Sequence, residues 1–96
     1  MSYLEKCYQK DPNIVFRKIG DEFILVPIKQ NVGDLESIYT LNEVAARIWE
    51  LIDGKRKVRE IKDKIVGEFK VTPEEAKKDI IELFRQFEEI KAITEG

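Results

Sequence analysis

The stretch Leu41-Asn42-Glu43-Val44-Ala45-Ala46-Arg47-Ile48-Trp49-Glu50-Leu51-Ile52-Asp53-Gly54 constrains the fold more than any other part of this chain. It reads as one short helix with its start, buried face and stop all present. Ala45, Ile48, Leu51 and Ile52 recur at helical spacing, flanked by Val44 and Trp49. Two start signals compete: Thr40 with Glu43 as a capping box, or Asn42 as N-cap. Gly54 follows as the left-handed C′ residue that helix ends favour. The pattern predicts a helix from about Glu43 to Asp53, and it divides the chain into strands before it and helices after it.

Before it, residues 1–12 mix charge with Tyr3, Tyr8 and Pro12 and show no clear period. They read as a loosely held, flexible arm, with Tyr3, Leu4 and Tyr8 able to dock one face onto the core. Residues 13–96 then form a single domain. Asn13 to Ile19 is rich in strand formers, and Glu22 to Ile28 reads as its return strand. Gly20-Asp21 between them suits a type II′ hairpin turn. Pro27 donates no hydrogen bond, so it belongs near a strand end or on an unpaired edge. After a loop, Leu35 to Thr40 reads as a third, shorter strand.

After it, Val58, Ile61, Ile65 and Phe69 share one face and predict a second helix over 58–69. Its entry, Lys55-Arg56-Lys57, lacks a capping side chain and sets three cations against the helix dipole. That end is expected to fray or to be tied down by a partner. The third helix starts best: Thr72-Pro73-Glu74-Glu75 gives an N-cap, a proline at the first position and a glutamate at the third. Ala76, Ile80, Leu83, Phe87 and Ile90 form its expected core stripe, continued by Ile93, and the helix should reach about Lys91. Three strands followed by three helices, with short connections, give an α+β domain: a three-stranded antiparallel sheet followed by a three-helix cluster, winged-helix-like.

Composition narrows what such a domain does. The chain has 96 residues, 43% hydrophobic and 38% charged, with a net charge of −2, which fits one folded domain with a modest core. There is no histidine and a single cysteine, Cys7. The commonest general base and the commonest transition-metal ligand are therefore missing, and no internal disulfide is available. No metal site, cofactor or catalytic cluster is expected, and the enzyme reading is remote. No apolar run approaches the roughly 20 residues of a spanning helix, and the N-terminus lacks a signal pattern. A cytoplasmic protein without membrane contact is expected, either a monomer or a weak dimer.

Some features exceed what packing needs. Ile81 and Phe84 flank the core stripe of the third helix, which reads either as a wide core face or as a groove wall awaiting a ligand. The short third strand is a candidate edge that accepts a further strand from a peptide, although most edges are simply protected. Trp49 reads as core or rim packing, Cys7 as an incidental thiol. The basic run Lys55, Arg56, Lys57, Arg59, Lys62 and Lys64 reads as a solvated helix face, with phosphate or an acidic partner as the sharper alternative.

Leu41-Asn42-Glu43, Ile48-Trp49-Glu50-Leu51-Ile52-Asp53-Gly54 and Val58-Arg59-Glu60-Ile61 closely resemble the PqqD family, as do Val71-Thr72-Pro73-Glu74-Glu75-Ala76 and Asp79. The order and spacing carry the resemblance, which runs from about Pro12 onward. It implies a recognition element for ribosomally made, post-translationally modified peptides. Such a domain binds a precursor's leader peptide as an added strand and presents it to a modifying enzyme, a radical SAM enzyme in the pyrroloquinoline quinone pathway. Carried onto this chain, the groove lies between Leu35, Glu36, Ser37, Ile38 and Tyr39 on one side and Lys77, Ile81, Phe84 and Arg85 on the other.

A winged-helix DNA-binding protein is the alternative from another class. From Glu74 to Gly96 the chain carries seven acids against four bases, which suits a phosphate-lined groove poorly. No nucleic-acid partner is expected.

Overall fold

The computed structural model describes residues 3–27 and 39–96. Tyr3–Glu5 is a single 3-10 turn, and Tyr8–Lys10 forms strand β1. Ile14–Ile19 and Glu22–Pro27 are strands β2 and β3, paired antiparallel from Ile14↔Pro27 to Ile19↔Glu22. Gly20 turns the hairpin at φ +62 while Asp21 keeps a negative φ, the sign pattern of a type II′ turn. Pro27 stands at the end of its strand, where its missing N–H interrupts no ladder.

Tyr39–Leu41 is strand β4 and pairs with the other side of β3, from Phe23↔Leu41 to Leu25↔Tyr39. The sheet order is β2-β3-β4, so β4 is an end strand among the described residues. Of the expected third strand, Leu35, Glu36, Ser37 and Ile38 lie outside the described residues.

Helix α1 spans Glu43–Leu51, and Asn42 is its cap: its side-chain oxygen accepts from the Ala45 N–H at 2.8 Å. Thr40 loses the competition because it is held in β4 opposite Ile24. The helix stops two residues before Asp53, at the buried Ile52. Gly54 has φ +79, but it serves the turn beyond the cap. There the Asp53 carboxylate accepts from the N–H groups of Lys55 and Arg56, and the Gly54 N–H donates to the Tyr8 carbonyl at 2.8 Å.

Helix α2 spans Val58–Phe69. Its cation-rich entry is tied down from within the chain. Glu60 accepts from the Lys57 N–H at 2.9 Å, and the Val58 N–H donates to the Lys6 carbonyl at 2.9 Å. The Glu5 carboxylate reaches Lys57 at 2.9 Å and Arg59 at 3.3 Å, supplying the negative charge that a helix N-terminus favours.

Helix α3 spans Pro73–Glu89, capped by Thr72 Oγ1 accepting from the Glu75 N–H at 3.2 Å. It ends two residues short of Lys91 in a Schellman motif. Lys91 takes φ +60, its N–H reaches the Glu88 carbonyl, and the Ala92 N–H reaches the Phe87 carbonyl. The left-handed residue reverses the chain into strand β5, Ile93–Glu95, which pairs antiparallel with β1. This second, two-stranded sheet is absent from the sequence reading, and Ile93 is a buried strand residue rather than a continuation of the helical stripe.

The core joins Ile48 of α1 and its C-cap Ile52 to Ile61 and Ile65 of α2 and Ile80 and Phe87 of α3, with Leu25 and Leu41 closing it from the sheet. Trp49 is buried with its ring edge-on to Phe87, centroids 5.4 Å apart, the packing role expected of it. The buried stripe of α3 is Ala76, Ile80, Phe84 and Phe87. Leu83 is only partly buried and Ile90 is 38% exposed, so the face is turned relative to the expected stripe. The cause is the arm. Tyr8 packs edge-on to Phe84 at 5.1 Å and Tyr3 at 6.5 Å, so residues read as loosely held cover that side of the helix.

Candidate functional site

The free side of β4 lies along α3. Tyr39 packs edge-on to Phe87, centroids 6.2 Å apart, and its hydroxyl donates to Gln86 Oε1. Burial, with the Glu89 carboxylate nearby, pushes the Tyr39 phenol above its ordinary value. At the other end of β4, Asn42 lines an open cavity of about 260 Å³ shared with Val44, Ile48, Ile65, Asp79 and Leu83. The strand therefore runs back along the helix, from Gln86 beside Tyr39 to Asp79 beside Asn42.

Helical residues three and four apart share a flank. Asp79, Leu83, Gln86 and Ile90 thus form the row of α3 next to β4. Leu83 and Ile90 offer apolar surface, and Gln86 offers an amide. β4, an end strand among the described residues, stands beside this row through Tyr39, and the cavity lies at its Asn42 end. An extended peptide has the complementary features: backbone donors and acceptors in line, and side chains alternating between two faces.

The predicted residues divide. Tyr39 stands against Gln86 and Phe87 of α3. Phe84 is fully buried beneath Tyr3 and Tyr8, so its ring faces no open surface. Lys77, Ile81 and Arg85 stand on the flank of α3 turned away from Gln86; Lys77 and Arg85 are exposed and Ile81 is half-buried. Burial pushes the Tyr3 phenol up, with the charges of Glu88 and Arg85 acting on it in opposite senses, which puts that flank beside the arm. The structure does not bring Lys77, Ile81 or Arg85 to Tyr39.

Gln86 stands beside the strand through Tyr39, and Leu83 and Ile90 share its flank of the helix. Leu83 and Ile90 carry an apolar signal that reads as core, because no local pattern announces the arm's contact with Phe84. Gln86 carried no signal.

The basic run is largely engaged by carboxylates. Arg56 pairs with Asp53 at 3.0 Å, Lys57 and Arg59 with Glu5, and Lys62 with Asp63 at 3.5 Å. The Cys7 thiol is half-buried and points to the Lys55 carbonyl at 3.6 Å. Among the described residues, no group of His, Cys, Asp or Glu is placed to hold a metal ion. None of the described helices is long and apolar enough to cross a membrane.

A family model for coenzyme PQQ synthesis protein D (PqqD) matches residues 24–93, well over half of the chain. The solved structure of TbiB1 in complex with the TbiA(beta) leader peptide is similar, with a TM-score of 0.72 at 22% sequence identity. The match covers 88% of this chain and 93% of that one, and at this identity it speaks for the fold. No curated protein matches the sequence.

Proposed function

The chain belongs to the PqqD family, and from that premise we propose that it is a non-catalytic adaptor. It captures the leader of a ribosomally made precursor peptide and presents it to a modifying enzyme of the radical SAM type in the cytoplasm. The observation that carries this reading is that β4, an end strand among the described residues, lies beside α3 with Tyr39 against Gln86 and Phe87. Main-chain pairing along β4 gives affinity that is indifferent to sequence, and the apolar row and its cavity give side-chain selection. The bound form of TbiB1, a protein of the same fold, holds a leader peptide. The chain's lack of histidine fits a role in binding rather than in bond-making.

The decisive measurement is an NMR titration with a synthetic precursor leader peptide. The amide signals of Tyr39, Thr40 and Leu41 should shift, together with those of Leu83, Gln86 and Ile90. Shifts confined to the Lys55–Lys64 face would overturn the reading. A Tyr39→Pro variant, which loses the strand's N–H at that position, should bind the same peptide at least about tenfold more weakly if edge pairing carries the complex.

A further inference from the structure

The β2–β3 hairpin is apolar on both of its faces. An antiparallel sheet that covers a core on one side commonly alternates apolar and polar side chains, whereas strands buried on both sides read as continuous apolar runs. Ile14-Val15-Phe16 of β2 and Phe23-Ile24-Leu25-Val26 of β3 are such runs. The pairing register sorts them. Leu25 is buried in the core, and Phe16 and Phe23 stack on the same side of the sheet, the side that faces the helices. Val15, Ile24 and Val26 therefore face the other way, together with Arg17, Ile19 and Glu22. Val15, Ile24 and Val26 are half-buried yet stand clear of the core, and Ile19 is 61% exposed. Four of these six outward positions are apolar, which suits a covered surface rather than a solvated one.

The two charged positions point to what covers this face. Arg17 stands opposite Ile24 and Glu22 opposite Ile19, so the cation and the anion lie diagonally across the hairpin. Among the described residues, no ion pair engages either of them. A contact between identical copies needs a self-complementary patch, in which one residue meets its counterpart on the other copy and the reverse. A two-fold axis lying in the face, between Arg17 and Glu22, meets that condition. It brings each Arg17 to the Glu22 of the other copy and closes apolar side chains on apolar side chains. We propose that the outer face of the β2–β3 hairpin docks on the same face of a second copy of this chain. The patch is small. Strands of six residues make it about 17 Å long, less than a permanent interface offers, so the dimer is weak and dissociates on dilution. The helices lie on the other side of the sheet, so the dimer leaves the contact of Tyr39 with α3 in place. The inference goes beyond the adaptor reading and stands apart from it.

The test is sedimentation velocity on the full chain, from about 1 μM to about 1 mM, the range in which weak complexes dissociate. The average mass should rise with concentration from that of the monomer toward twice that value. The amide signals that move with concentration in NMR should be those of β2 and β3. Arg17→Glu alone and Glu22→Arg alone should each weaken self-association about tenfold, because both symmetric charge pairs turn repulsive. Mixing the two single variants should restore the dimer, since each then carries the charge that the other lacks. A charge pair within one chain would give no such rescue. Both substitutions are on exposed positions, and thermal melting confirms that the variants are folded.

A monomer at every concentration would overturn the proposal. So would a dimer whose concentration-dependent signals lie on the helices, or one that the mixed variants fail to restore. None of these results touches the adaptor reading, which the leader titration decides.

Discussion

Lys91 is a lysine in a glycine's conformation. Its φ of +60 closes the Schellman turn that ends α3, and a side chain in the left-handed region carries a steric cost that glycine avoids. Lys91→Gly should therefore stabilise the protein by about 1 kcal/mol in thermal or urea unfolding. A destabilised variant would mean that the lysine side chain has a partner that outweighs the strain. Tyr3 poses the opposite case. Its ring packs on Phe84 and Tyr8, but its hydroxyl is buried beside the Tyr8 phenol without a well-formed hydrogen bond. Tyr3→Phe keeps the ring and removes the stranded hydroxyl, so stability should rise by about 1 kcal/mol. The same unfolding measurement decides it.

At the scale of elements, carboxylates clip the helices together. Glu5 joins the arm to the entry of α2, and Glu68 of α2 takes a two-pronged bond from Arg47 of α1 at 2.8 and 3.0 Å. The Lys57 side chain holds the Glu5 carboxyl below its ordinary value, as Arg47 does for Glu68; for Asp53 the cause is the backbone N–H groups of Arg56 and Lys55. Each carboxyl titrates lower in the folded chain than in the unfolded one. Its contribution is therefore complete above the unfolded value and lost as pH falls through the folded value. Melting temperature should fall as the medium is acidified below the usual carboxylate range, and a Glu5→Gln variant should show a shallower fall. A variant as acid-sensitive as the wild type would remove Glu5 from this account. These elements also mark what the sequence discloses. Each helix was legible because its cap, its apolar spacing and its stop lie within a few residues of one another. The clip at α2 was legible only as a missing partner: Lys55, Arg56 and Lys57 announced unbalanced charge, but Glu5 lies some fifty positions away. Tyr39 was legible as part of an edge, whereas the rotation of α3 that brings Gln86 to it depends on Tyr3 and Tyr8, whose contact with Phe84 no local pattern encodes.

Across the whole molecule, the hairpin and the edge strand lie in one sheet and the arm's strand in another. The groove uses the first, while the second fastens β1 to β5 on the far side of α3 from Gln86. The two jobs are separated, so the strand edge stays available while the arm is docked. The pairing of β1 with β5 has a mechanical consequence. Tyr8 stands opposite Glu95 and Lys10 opposite Ile93, so the pair nearest both ends of the sequence is the outermost rung of the ladder. Tension applied to the two ends therefore loads the rungs one after another, as in a zipper, instead of shearing all of them at once. Peeling them withdraws Tyr8 from Phe84 and uncovers the aromatic centre of the core.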